Sequence, residues 1–295
     1  MPSLHSLGLE VNPSKEPLSY PGTLVKESCL IVGSWLYPLK PRPSAPIPEW
    51  ELDTVDGPLH QSLGSQRPTL DQALRLARSP LMAERFPVLA VGSNASPGQL
   101  THKFTSGRQV SEVVPITLVR VRGIALGHSA HISKAGYVPY VPVVGNPTAE
   151  RDLFILWLDA AQLERINETE PNYLPVTVGR DNPPALLETG ERVEIFSLYR
   201  GRWGALRLTP DGPSIDATNQ ENILGILGSL AWFRLLVPES QEGTLATVTA
   251  LAGDEQRRIQ VRERIAAEGL TGNDGLALRG FVPVRYREAV SGSLS

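Results

Sequence analysis

The chain has 295 residues, a formal net charge of −3, 41% hydrophobic residues and 20% charged residues. These are ordinary globular values, with length for one large domain or two modest ones. Acids and bases are intermixed and no Arg/Lys run is interleaved with aromatics, which argues against a nucleic-acid partner. The single cysteine, Cys29, leaves no intramolecular disulfide and no cysteine-built zinc site. It lies in the apolar run Ser28–Val32 and reads as a buried structural thiol rather than a nucleophile.

Residues 1–80 are rich in breakers, with five prolines in the twelve positions from Tyr37 to Pro48. Proline has a fixed φ and no amide to donate, so this stretch is predicted to be extended, on the surface or against the main body. Met1 to Lys15 carry no charged segment ahead of an apolar one, and no apolar run approaches the roughly 18 residues of a membrane helix. A cytoplasmic location without membrane contact is therefore expected. One strand is predicted over Ser28–Leu36, and a short helix over Thr69–Arg78 behind an N-cap at Thr69.

From about residue 81 to 200 the texture changes. Phe86–Val91 is a short apolar run that suits a buried strand. Val113–Leu126 is dense in β-branched residues, Tyr137–Val144 is broken by Pro139 and Pro142, and Leu153–Leu158 is wholly apolar; all three read as strands. Asp159 is a candidate N-cap for a helix over 160–168, and further strands fit Leu174–Val178 and Arg192–Tyr199. The remainder, 201–295, is mostly helical: Asn219–Leu236 reads as one buried helix and Glu255–Glu268 as a charged one ending at Gly269. A last strand, Phe281–Tyr286, precedes a disordered Ser/Gly tail. The expected architecture is α+β, a curved or barrel-like mixed sheet with packed helices. It comprises a Pro-rich N-terminal extension packed on the core (1–80), the core itself (81–200) and a helical C-terminal extension (201–295).

Two segments carry candidate chemistry. In the first, a strand delivers the chain to Val91-Gly92-Ser93-Asn94, and Ser96-Pro97 then opens a helix, with Ser96 as cap and Pro97 at the first position. Free amides at such a loop, beside a helix N-terminus, can hold a carboxylate or a developing oxyanion; the plainer alternative is a tight strand-to-helix turn. In the second, Pro171 ends the helix and leaves Glu170 in the turn before the next strand. Held against apolar neighbours such as Ile166 and Tyr173, this carboxylate could take and return a proton near neutral pH; alternatively it is a solvated glutamate at a helix end. His128 and His131 are three apart, which in a strand puts them on opposite faces and argues against a shared metal. Ser129 between them lacks a Gly-x-Ser-x-Gly elbow, and no Walker A or Gly-x-Gly-x-x-Gly pattern occurs.

Together the two segments resemble the γ-glutamylcyclotransferase-like family, over roughly residues 86–200. Gly92-Ser93-Asn94 matches the family's Tyr-Gly-Ser-Asn loop, and Gln99-Leu100 the pair in its following helix. Leu118–Leu126 resembles its second strand, and Leu153–Leu163 the strand leading into its catalytic helix. Ile166-Asn167-Glu168-Thr169-Glu170 occupies the place of Leu-Asp-x-x-Glu, with Tyr173 downstream. Two residues depart from the pattern: Val91 replaces the tyrosine, which alters the substrate rim, and Pro171 replaces a glycine, which shifts the carboxylate. The resemblance implies a transferase- or lyase-type reaction of a small-molecule γ-glutamyl compound, without metal or organic cofactor. Glu170 would be the catalytic acid/base, with Glu168 as the fallback. Val91, Gly92, Ser93, Asn94 and Tyr173 would contact substrate. A same-fold enzyme acting on another amide, or a non-catalytic small-molecule binding protein, are the alternatives.

Overall fold

The computed structural model describes residues 3–52, 59, 67–276 and 278–291. The N-terminal part forms strands β1 (Cys29–Val32), β2 (Trp35–Lys40) and β3 (Glu51–Leu52), followed by helix α1 (Leu70–Leu76). Then come β4 (Phe86–Ala90), α2 (Pro97–Thr105), β5 (Val113–Arg122), β6 (Ile124–His128), β7 (Tyr140–Val144) and β8 (Glu150–Leu158). Helix α3 (Ala160–Thr169) leads to β9 (Tyr173–Val178), β10 (Ala185–Leu187), β11 (Arg192–Val193), β12 (Phe196–Gly201) and β13 (Ala205–Leu206). Helices α4 (Gln220–Ser229), α5 (Ala231–Leu236), α6 (Thr244–Gly253) and α7 (Glu255–Ala267) precede β14 (Thr271–Gly272), α8 (Tyr286–Ala289) and β15 (Val290–Ser291).

The fold is α+β. The main sheet runs in the order β15-β11-β10-β5-β8-β4-β12-β9, with β1, β2 and β3 branching from β5. It is mixed, since β12 pairs with β4 in parallel and its other pairings are antiparallel. It is open rather than a closed barrel.

The strands read as unbroken apolar runs because both faces of the sheet are buried. Alternation then sorts side chains by parity. Leu153, Ile155 and Trp157 of β8 join one apolar cluster with Leu89, Val119 and Val121, covered by Leu70 and Leu74 of α1. Phe154, Leu156 and Leu158 join the other with Val88, Ala90 and Ile116, covered by Leu100 and Phe104 of α2 and Leu163 and Ile166 of α3. A third cluster lies among α4–α7, built on Ile223, Leu227, Phe233, Leu251 and Ile265.

Several sequence expectations change in detail. The single strand over 28–36 is a hairpin, turned at Gly33 with φ +57°. The strand over 113–126 divides at Gly123, φ +71°, where a left-handed turn suits glycine. Of the two settings expected for the Pro-rich stretch, it takes the one against the main body, with Tyr37 and Ile47 fully buried. The helix over 219–236 is two helices, because Leu230 is extended (ψ 128°) and Arg234 Nη1 donates to the freed carbonyls of Gly228 and Ser229. Residues 281–285 form no strand: Pro283 has no amide to give, and Thr177 exchanges side-chain hydrogen bonds with the backbone of Val282. The Ser/Gly tail beyond Ser291 lies outside the described residues. Among those residues, no helix is long and apolar enough to cross a membrane.

One buried cation ties the centre together. Arg85 is fully buried just before β4. Its Nη1 donates to Trp157 O (2.8 Å), Val113 O (3.3 Å) and Gln162 Oε1 (3.4 Å), its Nε to Pro80 O (3.0 Å) and its Nη2 to Ser79 Oγ (2.7 Å). Burial pushes the guanidinium pKa down to about 10, still protonated near neutrality. Arg85→Met strands several buried carbonyls. We expect a loss of roughly 3 kcal/mol, read in a thermal melt as a midpoint lower by about 6–10 °C.

Candidate active site

Strand β4 ends at Ala90, and residues 91–96 turn into a single 3-10 turn, Ser93–Ala95, before α2. The amides of Gly92, Ser93 and Asn94 make no hydrogen bond to any described residue, as the first donors of a helical turn have no partner within it. Helix α2 does not present an open N-terminus as expected. Gly98 N donates to Leu9 O (2.9 Å) and a Cβ at 98 would meet Glu10 O at 2.5 Å, so residues 9–11 lie directly over its first turn. Ser96 accordingly makes no cap bond; its Oγ donates to Val11 O (3.4 Å) instead.

Helix α3 begins in a capping box between Asp159 and Gln162 and stops at Glu170 (φ −116°, ψ 57°), one residue before Pro171. The Glu170 side chain is 14% exposed. Its Oε1 accepts from Asn94 Nδ2 at 3.0 Å and from Lys103 Nζ at 2.6 Å, and Lys103 Nζ also donates to Asn94 Oδ1 at 2.7 Å. This closed triangle fixes the amide orientation of Asn94, since only Oδ1 can accept from the ammonium and only Nδ2 can donate to the carboxylate. The apolar seat foreseen for Glu170 is thus replaced by a cation and an amide. The pattern Gln99–Lys103, four apart on one helix face, was the available signal for Lys103.

A cavity of about 780 Å³ opens here, and Val91, Gly92, Ser93, Asn94, Glu170 and Tyr173 all line it. Glu168 does not; it pairs with Arg165 at 3.0 Å on the exposed side of α3. The cavity also draws on residues far apart in the chain, among them Lys15 and Tyr20 near the N-terminus and Leu245 and Val248 on α6.

Apart from Tyr173, its aromatic wall was not legible from the sequence. Tyr20 stacks on Tyr137 (ring centroids 4.3 Å, 22°) and meets Tyr140 edge-on (5.0 Å). Tyr20 Oη accepts from Tyr140 N at 2.8 Å, and Tyr173 Oη donates to Tyr140 O at 2.8 Å. Burial first, and for Tyr20, Tyr137 and Tyr173 also the Glu170 charge, push these phenols upward, so they stay neutral. Val91 brings no phenol to the loop, yet Tyr20 does: a Cβ on Gly92 would lie 2.5 Å from Tyr20 Oη.

The two histidines have separate lives. His128, at the end of β6, accepts from Thr218 N through Nε2 (3.0 Å), while its Nδ1 lies 3.4 Å from Val138 O. His131 lies beyond the strand, lines the cavity and has Nδ1 2.6 Å from Ser129 Oγ. Burial lowers His128 to about 4; burial and then Arg262 lower His131 to about 3.

No family model matches the chain, and no curated protein matches it. Among solved structures, a γ-glutamyl cyclotransferase matches at 11% identity with a TM-score of 0.33. An uncharacterised protein from Homo sapiens matches at 12% and 0.32, and each match covers 67% of this chain and 94% of the other. A γ-glutamyl cyclotransferase specific to glutathione from yeast matches at 10% and 0.29, covering 61% of this chain and 98% of that one. At TM-scores this low the likenesses carry no weight for the site, which stands on the contacts above.

Two outcomes are expected. Gly92→Ala forces the buried Tyr20 ring aside and lowers stability by about 1–3 kcal/mol, and Tyr20→Phe, by removing the clashing hydroxyl, recovers part of that loss in the double variant. The unfolded chain protonates His131 near 6.5, the folded chain only near 3. Its contribution is therefore complete above pH 6.5 and lost as pH falls toward 3, with a slope of about 1.4 kcal/mol per pH unit. Denaturant titrations of His131→Phe should show a shallower acid decline.

Proposed function

We propose that the chain is a γ-glutamylcyclotransferase-like enzyme, converting a γ-glutamyl compound to 5-oxoproline and a free amine. The observation that carries this reading is the 3.0 Å contact between Asn94 and Glu170, which joins the two motif segments across 76 positions of sequence in one cavity. The resemblance of Gly92-Ser93-Asn94 and of the segment ending in Glu170 to the family's motifs supports the same assignment.

In this reading the α-amine of the glutamyl group attacks its own γ-carbonyl carbon. A tethered nucleophile closing a five-membered ring needs chiefly orientation, which a walled cavity supplies. Glu170 takes the proton from the amine and returns it to the departing nitrogen as the amide C–N bond breaks. Oε1 is already engaged, so Oε2, which makes no hydrogen bond among the described residues, is the working oxygen. The unpaired amides of Gly92, Ser93 and Asn94 receive the carbonyl oxygen as it gains charge. Tyr173 and Val91 bound the substrate. This chemistry calls for no metal or organic cofactor.

The 2.6 Å pairing of Glu170 with Lys103 favours a second reading, a binding pocket in which the carboxylate is a fixed charge and no turnover occurs. Release of 5-oxoproline from a panel of γ-glutamyl amines and γ-glutamyl amino acids separates the two. Under the enzymatic reading, Glu170→Gln still folds, with a lower melting midpoint because buried Lys103 loses its counter-charge, yet loses turnover by about 10³-fold. A variant that keeps full activity on the panel sinks the assignment of Glu170.

A further inference from the structure

We propose that Lys103 is a positioning residue of this reaction, one that keeps the substrate amine reactive by opposing its protonation beside Glu170. The inference rests on the cyclotransferase reading above and deepens it.

The argument starts from charge. A lone carboxylate facing a substrate α-amine holds it as the ammonium, because an opposite charge within about 4–6 Å favours the charged form. An ammonium has no lone pair, so a site with Glu170 alone would bind the substrate tightly in an unreactive state. Lys103 Nζ, 2.6 Å from Oε1 and 7% exposed, places a second cation at the same carboxyl group. A like charge disfavours a second ammonium there, the same physics that makes a lysine nucleophilic beside another cation. The lysine also fixes the carboxyl rotamer: with Asn94 it occupies Oε1, leaving Oε2 to take the proton.

The cation is built in. Lys103 projects from α2, is tied to Asn94 Oδ1 at 2.7 Å, and its carbonyl accepts from Arg165 Nε at 2.8 Å. The other ionisable groups around the pair cannot replace it. His102, its neighbour on α2, is pushed down by burial and then by Lys15, Lys103 and Arg165. From the segment before β7, His131 is neutral above about pH 3. Tyr20, Tyr137 and Tyr173 are raised and uncharged, as is Tyr199 on β12. On α3, Arg165 is paired with Glu168. Lys15 and Lys134 are exposed at the mouth.

The test compares pH profiles of kcat and KM for 5-oxoproline release by the parent, Lys103→Met and Lys103→Arg. With the charge removed, the bound amine stays protonated to higher pH. The acid limb of kcat should move up by about 1–2 pH units, so that kcat at pH values below the parental limb falls about 10- to 100-fold. KM should fall or stay level, since tight ground-state binding of the ammonium is restored. Lys103→Arg should keep the limb within about half a unit of its parental place. Should Lys103→Met fail to fold by thermal melt, Lys103→Gln carries the same expectations. An unmoved limb in an active, folded variant, a raised KM with kcat kept, or an arginine variant that behaves like the neutral one overturns the role of Lys103 and leaves the cyclotransferase reading standing. A parent protein that releases no 5-oxoproline overturns that reading, and this inference with it.

Discussion

The Arg85 clasp sets the distances on which the site depends. One guanidinium reaches the end of β8 through Trp157 O, the start of β5 through Val113 O and the first turn of α3 through Gln162. Three elements therefore leave one point with a shared origin. From it β4 runs five residues, about 16 Å, toward the loop that carries Asn94, and α3 runs ten, about 15 Å, to Glu170, and the Asn94–Glu170 hydrogen bond joins the two ends. There the loop after Ala90 and the turn at Glu170 meet. Pairing of β4 with β8 from Phe86↔Leu158 to Ala90↔Phe154 keeps this spacing rigid. The cation is costly to bury, and its worth lies in satisfying five acceptors whose positions fix the register.

At the far end, a small polar triangle stands between an aromatic wall and a packed sheet. Its members are tied pairwise, so none can turn without breaking two contacts. Side-chain freedom is removed before any ligand arrives, the condition under which a carboxyl group can be aimed rather than merely present. The phenols beside it are held neutral by burial, and they offer hydroxyls without adding charge to a site whose balance is set by one acid and one lysine.

How much of this the sequence disclosed follows from the range of the interactions. Local signals were legible: the N-caps at Thr69 and Asp159, the apolar runs of β4 and β8, and the helix stop before Pro171 each depend on neighbours within a few residues. The loop and the acid could be singled out for the same reason. Breaks inside otherwise regular stretches were not legible, because Leu230 is an ordinary helix former and its kink is held by Arg234. The site's remaining parts were hidden by distance along the chain. Tyr20 lies in a breaker-rich segment, and nothing near it in sequence announces that it stacks on Tyr137. Lys103 shows the right spacing from Gln99, but its partner is 67 residues away. Even Ser96, a sound cap by composition, lost that role to the backbone of residues 9–11, which no local rule could foresee.

The cavity wall is drawn from both ends of the polypeptide, from Ser14 to Ala252. Its full lining therefore requires both α6 and the segment around Ser14–Tyr20 to be folded onto the core. Occupancy then acts as a strap across the whole molecule. Free energy gained from a ligand, which grows as RT ln(1 + [L]/Kd), accrues to global folding rather than to one loop. A ligand that fills the cavity would thereby lengthen the life of the folded protein as a whole.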